Sequence, residues 1–175
     1  MMYKYNAIQA RIGAFRLGKG VAGALSLVYC LLLSACTVLP NSSEADVQAV
    51  AHSYFETYAE RSDFDRFMRF YADDAKLTDI VYGNEINGKD NIRDFFDWHR
   101  GDFTVVDAGP ALEVEEQVIS GNQVITKGVF REFEYNGNRM GPWKFIIWQE
   151  LNQAGKVIAQ EDWINYTPKK IMLGS

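Results

Sequence analysis

Residues that hold transition metals are nearly absent from this chain: two histidines, His52 and His99, and two cysteines, Cys30 and Cys36, among 175 residues. Four such groups so far apart give no ligand cluster of recognisable spacing, and no metal site is expected. The chain also lacks a G-x-S-x-G nucleophile motif and a glycine-rich phosphate loop opening a helix, so no cofactor is expected either. Acidic residues are missing altogether from the first 35 positions. There Lys4, Arg11, Arg16 and Lys19 lead into the apolar run VAGALSLVYCLLLSA, Val21 to Ala35. That run is shorter than the roughly 20 residues that span a bilayer, so residues 1–35 read as an export signal and not as a membrane helix. With the signal go four of the 18 basic residues and none of the 23 acidic ones, which leaves 14 minus 23, a charge of −9. A body this acidic repels phosphate backbones, which argues against nucleic acid as a partner.

The tetrapeptide Leu33-Ser34-Ala35-Cys36 resembles the lipobox of bacterial lipoproteins, which implies cleavage before Cys36 and a lipid upon it. Cys36 is then the membrane anchor, and 36–43 is a lipidated cysteine with its tether. Thr37 after the cysteine implies the cell envelope, on the outer membrane facing the periplasm where the host has two membranes. Cys30 leaves with the signal, so no internal disulfide can form and the fold must stand on its core. The remaining 140 residues suit one domain, 44–168, followed by a tail at 169–175.

Within that domain Ser42 or Ser43 can cap a first helix. Val47, Val50, Ala51, Tyr54, Phe55 and Tyr58 recur at three- and four-residue steps, one apolar stripe of about four turns. A second, shorter helix is expected from Asp63 to Tyr71. A third follows Gly88, where Ile92, Phe95, Phe96 and His99 repeat the helical spacing. From Ala111 the period changes to two, and turns at Ser120-Gly121-Asn122, Asn136-Gly137-Asn138 and Gln153-Ala154-Gly155 divide the rest. Strands are expected near 111–119, 122–135, 142–151 and 156–166, paired antiparallel through short connections. Helices followed by a meandering sheet make an α+β domain, and a strongly curved sheet wrapped on helices leaves a concave pocket.

The segment FYADDAKLTDIVYGNEINGKDNIRDFFDW, Phe70 to Trp98, together with GKVIAQEDWINY, Gly155 to Tyr166, resembles the SnoaL-like branch of the nuclear transport factor 2-like superfamily. The resemblance implies a cone: three N-terminal helices packed on a strongly curved, mostly antiparallel sheet, with a pocket at the open end. It does not by itself fix a function, because one fold hosts many.

What the family implies for single residues centres on two acids. Its polyketide cyclases keep a reacting aspartate in the last strand, just before a tryptophan and seven residues after a turn glycine, as Asp162 stands before Trp163 and after Gly155. Its steroid isomerases keep an aspartate base on the first strand, matched by Asp79, which shares a face with Leu77. Where those isomerases keep two oxyanion donors this chain has Phe55 and Ile147, and the cyclases' helper histidine has no counterpart. The epoxide hydrolases' acid-arginine-acid trio finds Arg131 and Asp162, with Phe133 in the third place, and an Arg131–Asp162 ion pair within the pocket would favour binding over chemistry. Ligand contacts are expected from Tyr54, Phe55, Tyr58, Trp98 and His99 on the helical side. From the sheet they are expected from Arg131, Phe145, Ile147, Gln160 and Ile164.

The implied function is binding of a small apolar organic molecule, with cofactor-free acid/base chemistry of cyclase, isomerase or hydrolase type. The alternative is a non-catalytic envelope binding or interaction module, in which a homodimer forms through the open sheet face.

Overall fold

The computed structural model describes residues 43–167. The expected export signal, Cys36 with most of its tether, and the tail lie outside them.

Helix α1 (Glu44–Glu60) starts at Ser43, which closes a capping box with Asp46: Ser43 Oγ accepts from the Asp46 N–H at 3.2 Å, and Asp46 Oδ2 accepts from the Ser43 N–H at 3.1 Å. Its stripe Val47, Ala51, Tyr54, Phe55 and Tyr58 is buried as the periodicity predicts. The helix stops at Arg61 in the left-handed conformation, whose N–H donates to Thr57 O. Helix α2 (Phe64–Met68) is capped by Asp63, which accepts from the Arg66 N–H at 2.7 Å. It ends before Tyr71, where the sequence reading extended it, because Tyr71 opens strand β1 (Tyr71–Asp79). There Phe70 O accepts from the Val157 N–H.

Strand β2 (Asn84–Asn87) returns antiparallel to β1, and helix α3 (Lys89–Phe96) follows it. Two strands therefore precede the third helix. Helix α3 does not reach His99: Asp97 caps it, and the Asp97 carboxylate accepts from the His99 N–H at 3.3 Å, turning the chain away.

After the short strand β3 (Phe103–Val105) come β4 (Leu112–Ser120) and β5 (Gln123–Phe130). The long strand expected over 122–135 breaks in two. The Arg131 N–H bonds to Ala111 O and Glu132 O accepts from the Val106 N–H, which carries β6 (Phe133–Tyr135) into a second, three-stranded sheet between β3 and β7 (Asn138–Met140). The turn joining β6 and β7 is Asn136-Gly137, with φ of 49° and 74°, the pair of positive values a two-residue hairpin loop requires. Strands β8 (Trp143–Leu151) and β9 (Val157–Ile164) complete the main sheet in the order β2-β1-β9-β8-β5-β4, antiparallel except for β1 beside β9.

The chain is thus an α+β fold with a curved, antiparallel-rich sheet. Its core is aromatic: the fully buried Phe67 ring lies 4.8–5.0 Å from Tyr54, Tyr58 and Trp98, distances at which edge and offset contacts add to area burial. Among the described residues no helix is long and apolar enough to cross a membrane.

Candidate functional site

Strand β9 carries the site because of how it is registered. A register shift between Leu151 and Glu150 on β8 resets its alternation, after which Gln160, Asp162 and Ile164 point inward and Trp163 points outward. Asp79, at the end of β1, is the register partner of Asp162 across the parallel pair. Both carboxyls are buried, but their surroundings differ. Asp79 Oδ1 accepts from the Val81 and Tyr82 N–H groups at 3.0 and 3.3 Å, and its Oδ2 accepts from Tyr166 Oη at 3.3 Å. It therefore locks the turn into β2. Asp162 has one donor, Gln160 Nε2 at 2.8 Å.

Gln160 belongs to a buried polar network drawn from four elements. Its Oε1 accepts from Gln149 Nε2 at 2.9 Å and lies 2.8 Å from Tyr71 Oη and 3.1 Å from Tyr54 Oη; the phenol oxygens are 2.7 Å apart, so one phenol donates to the other and the other to Gln160. With an amide N–H and a phenol O–H donating to its oxygen, the amide must aim its nitrogen at Asp162. Burial pushes the Tyr54 and Tyr71 phenols far above their ordinary pKa, so they remain donors.

Asp162 opens on a cavity of about 390 Å³ walled mainly by rings, among them Tyr58, Phe96, Phe130, Trp143 and Tyr166. Burial in this wall pushes the Asp162 carboxyl up to about 7; the Gln160 hydrogen bond pulls the other way, and the nearby Asp79 carboxylate adds to the rise. Tyr166, bonded to Asp79, is driven upward by burial and then by Asp79, and stays a phenol. The arrangement holds a carboxyl that exchanges a proton near neutrality inside an apolar chamber, the requirement for a general acid or base. Among the described residues no three His, Cys, Asp or Glu side chains gather into a metal site.

Of the residues singled out from the sequence, Asp162, Tyr58 and Ile164 line this cavity. Tyr54 and Gln160 lie behind it in the network, and Phe55, Phe145 and Ile147 are packed in the core, with the Phe55 and Phe145 rings stacked at 6.1 Å. Trp98 stacks on the far side of Tyr58 at 6.1 Å and faces a separate outer hollow. His99 is exposed, outside the Asp162 cavity, because α3 ends before it. Arg131 does not pair with Asp162. It turns to Glu113 at 3.5 Å, since the chain leaves the main sheet at that residue.

Three contributors escaped the sequence reading. Gln149 shares its strand face with Phe145 and Ile147, so alternation along β8 marks it as inward. Tyr71 was hidden by the overlong second helix. Arg61 reads as a helix-end cation, yet it lines the cavity with its guanidinium over the Phe103 ring at 4.2 Å and the Trp98 ring at 4.9 Å.

A curved antiparallel-rich sheet closed by helices over an inward acid is the architecture of nuclear transport factor 2-like folds. The SnoaL-like domain family matches residues 51–159, and the chain belongs to it. Solved structures agree on the fold. The epoxide hydrolase/cyclase-like enzyme SalBIII, with a role in pyran ring formation in the polyether salinomycin, superposes with a TM-score of 0.58 at 17% identity, covering 71% of this chain and 94% of that one. An LEH-like epoxide hydrolase from M. tuberculosis gives 0.55 at 14%, covering 72% and 86%. An NTF-2 like protein of unknown function from Burkholderia xenovorans gives 0.53 at 22%, covering 73% and 88%. No curated protein matches the chain.

Burial of Asp162 makes stability depend on pH. An aspartate that titrates at 3.8 when unfolded and near 7 when folded keeps its proton in the native state across that interval while the unfolded chain releases it. Stability therefore falls as pH rises from about 4 to about 7 and stays at the lower level above. Asp162→Asn keeps an acceptor for Gln160 and carries no charge. It is expected to be about 2–4 kcal/mol more stable than the wild type at pH 8, the difference closing toward pH 4. Urea unfolding at both pH values checks this, and an Asn variant no more stable at pH 8 would contradict the burial of a titrating charge.

Proposed function

We propose that this SnoaL-like domain takes a small, largely apolar organic molecule into the Asp162 cavity, and that Asp162 moves a proton on it. The observation that carries this reading is a carboxyl with a single donor, raised toward neutrality by burial, facing an aromatic chamber of about 390 Å³. Asp79 and Tyr166 act behind it: Tyr166 bridges from the cavity wall to the second acid. The named activities of fold relatives, epoxide hydrolase and cyclase-like, are compatible with acid/base work in such a chamber.

A second reading has its own support on the opposite side of the sheet. Val118 faces Ile125 across β4 and β5, and Ile146 faces Trp163 across β8 and β9, all four exposed. An apolar sheet face of this kind is a natural seat for a second copy. We also retain the lipid anchor at Cys36, supported by the lipobox-like sequence, which would hold the domain at the cell envelope.

For the proton-transfer reading, 2-tetralone serves as a neutral aromatic carbon acid. The wild type is expected to accelerate exchange of its α-hydrogens in D₂O, with a rate that rises through pH 7 as Asp162 ionises, and Asp162→Asn to lose about 10²-fold or more. Exchange indifferent to that substitution, or no faster than buffer, would remove Asp162 from the chemistry. For the sheet face, sedimentation velocity should show a dimer that Trp163→Glu splits, and a monomeric wild type would end that reading. For the anchor, Cys36→Ser should shift the chain from the membrane to the soluble fraction; a variant that remains membrane-bound would contradict it.

A further inference from the structure

Among the described residues Arg61 is the one cation in the wall of the Asp162 cavity, and it also lines the outer hollow of about 720 Å³, as do Phe103 and Ala111. It therefore belongs to the wall that the two spaces share. Among the described residues no carboxylate pairs with it. Glu60 and Asp102 line the outer hollow without reaching it, and the ionisable groups that act on it are the phenols of Tyr58 and Tyr135. Of these, Tyr135 already donates to Arg100 O.

The aromatic faces of Phe103 and Trp98 offset part of the cost of taking a guanidinium out of water. They accept none of its five N–H groups, which lie in the plane of the fork. The indole N–H of Trp98 is likewise buried with no hydrogen-bond partner. Arg61 thus keeps unspent donors in the cavity wall, the reverse of the acceptor at Asp162.

We propose that the molecule taken up is an apolar organic acid, its carboxylate held by Arg61 in the cavity wall and its apolar body lying among Phe130, Phe133 and Trp143. A planar guanidinium matches a carboxylate with two parallel hydrogen bonds, and its stacking on Phe103 fixes the plane of the fork in advance. This inference rests on the reading of the chamber as a binding site and adds the chemical class of what enters it.

A matched pair of probes separates the two levels: 1-naphthaleneacetate and the neutral 1-naphthaleneacetamide, titrated calorimetrically into the purified full chain at pH 7. The wild type is expected to bind the acid at least about tenfold more tightly than the amide. Arg61→Gln should bring the two within about twofold, the acid losing more affinity than the amide, and Arg61→Lys, which keeps the charge but loses the fork, should retain part of the preference. Equal binding of both probes by the wild type, or a preference undiminished in both variants, overturns the organic-acid assignment and leaves the chamber standing. Binding of neither probe overturns the chamber as a ligand site and this inference with it.

Discussion

The hydrogen bond from Gln160 Nε2 to Asp162 is the contact on which the interior depends. Gln160 is the junction at which Tyr54 from α1, Tyr71 from β1 and Gln149 from β8 meet β9. Without it the Gln149 amide would lose its donor's partner and the Tyr54–Tyr71 pair would keep one phenol proton with nothing to bond, at about 1–3 kcal/mol for each group left unpaired. The network therefore selects one register for β9 and one seat for α1, since sliding either strands several partners at once. It also has a direction: the donors converge on the oxygen of Gln160, and its nitrogen delivers the last hydrogen bond to the carboxyl. Scaffold and candidate reacting group are held by the same few atoms.

The charges of the interior are arranged so that they do not cancel. Asp162 and Arg61 line one cavity, yet no salt bridge joins them. An Arg–Asp pair there would hold the acid well below neutrality and use up the cation. Arg131, the arginine that the family pattern put forward as a partner, is drawn off by Glu113. Arg61 instead rests on aromatic faces, which accommodate its charge without spending its hydrogen bonds. Asp162 is left to desolvation, which sets its proton affinity.

How far this was legible in the sequence differs from element to element. The stripe of α1 and the turn at Asn136-Gly137 are written in short-range chemistry, and both appear where the spacing puts them. The inward set Gln160, Asp162, Ile164 followed from period-two alternation combined with the resemblance of Asp162-Trp163 to the cyclase pattern. The break between β5 and β6 was invisible, because apolar residues continue through Val129, Phe130 and Phe133 with no glycine or proline between. It is made by long-range bonds to Ala111 and Val106. Arg61 was invisible for a related reason: a single arginine after a helix suits a helix end electrostatically, and only the approach of Trp98 and Phe103 from distant sequence turns it into part of a cavity wall.

The missing helper histidine takes on a different meaning in this geometry. A histidine serves acid/base chemistry because its ordinary pKa lies near neutral pH. A carboxyl reaches the same range when it is buried against rings, has few donors and sits beside a second acid, and Asp162 meets all three conditions. Asp79 is the necessary complement, because the Val81 and Tyr82 N–H groups and the Tyr166 hydroxyl hold its oxygens in place while its charge adds to the rise at Asp162. The two carboxyls thus stand in unlike surroundings, Asp79 tied into the turn by three donors and Asp162 held by one. A histidine in the place of Ile147, the register partner of Asp162 on β8, would set a cation beside that carboxyl whenever protonated and pull its proton affinity down. The apolar neighbour is part of what keeps Asp162 near neutrality.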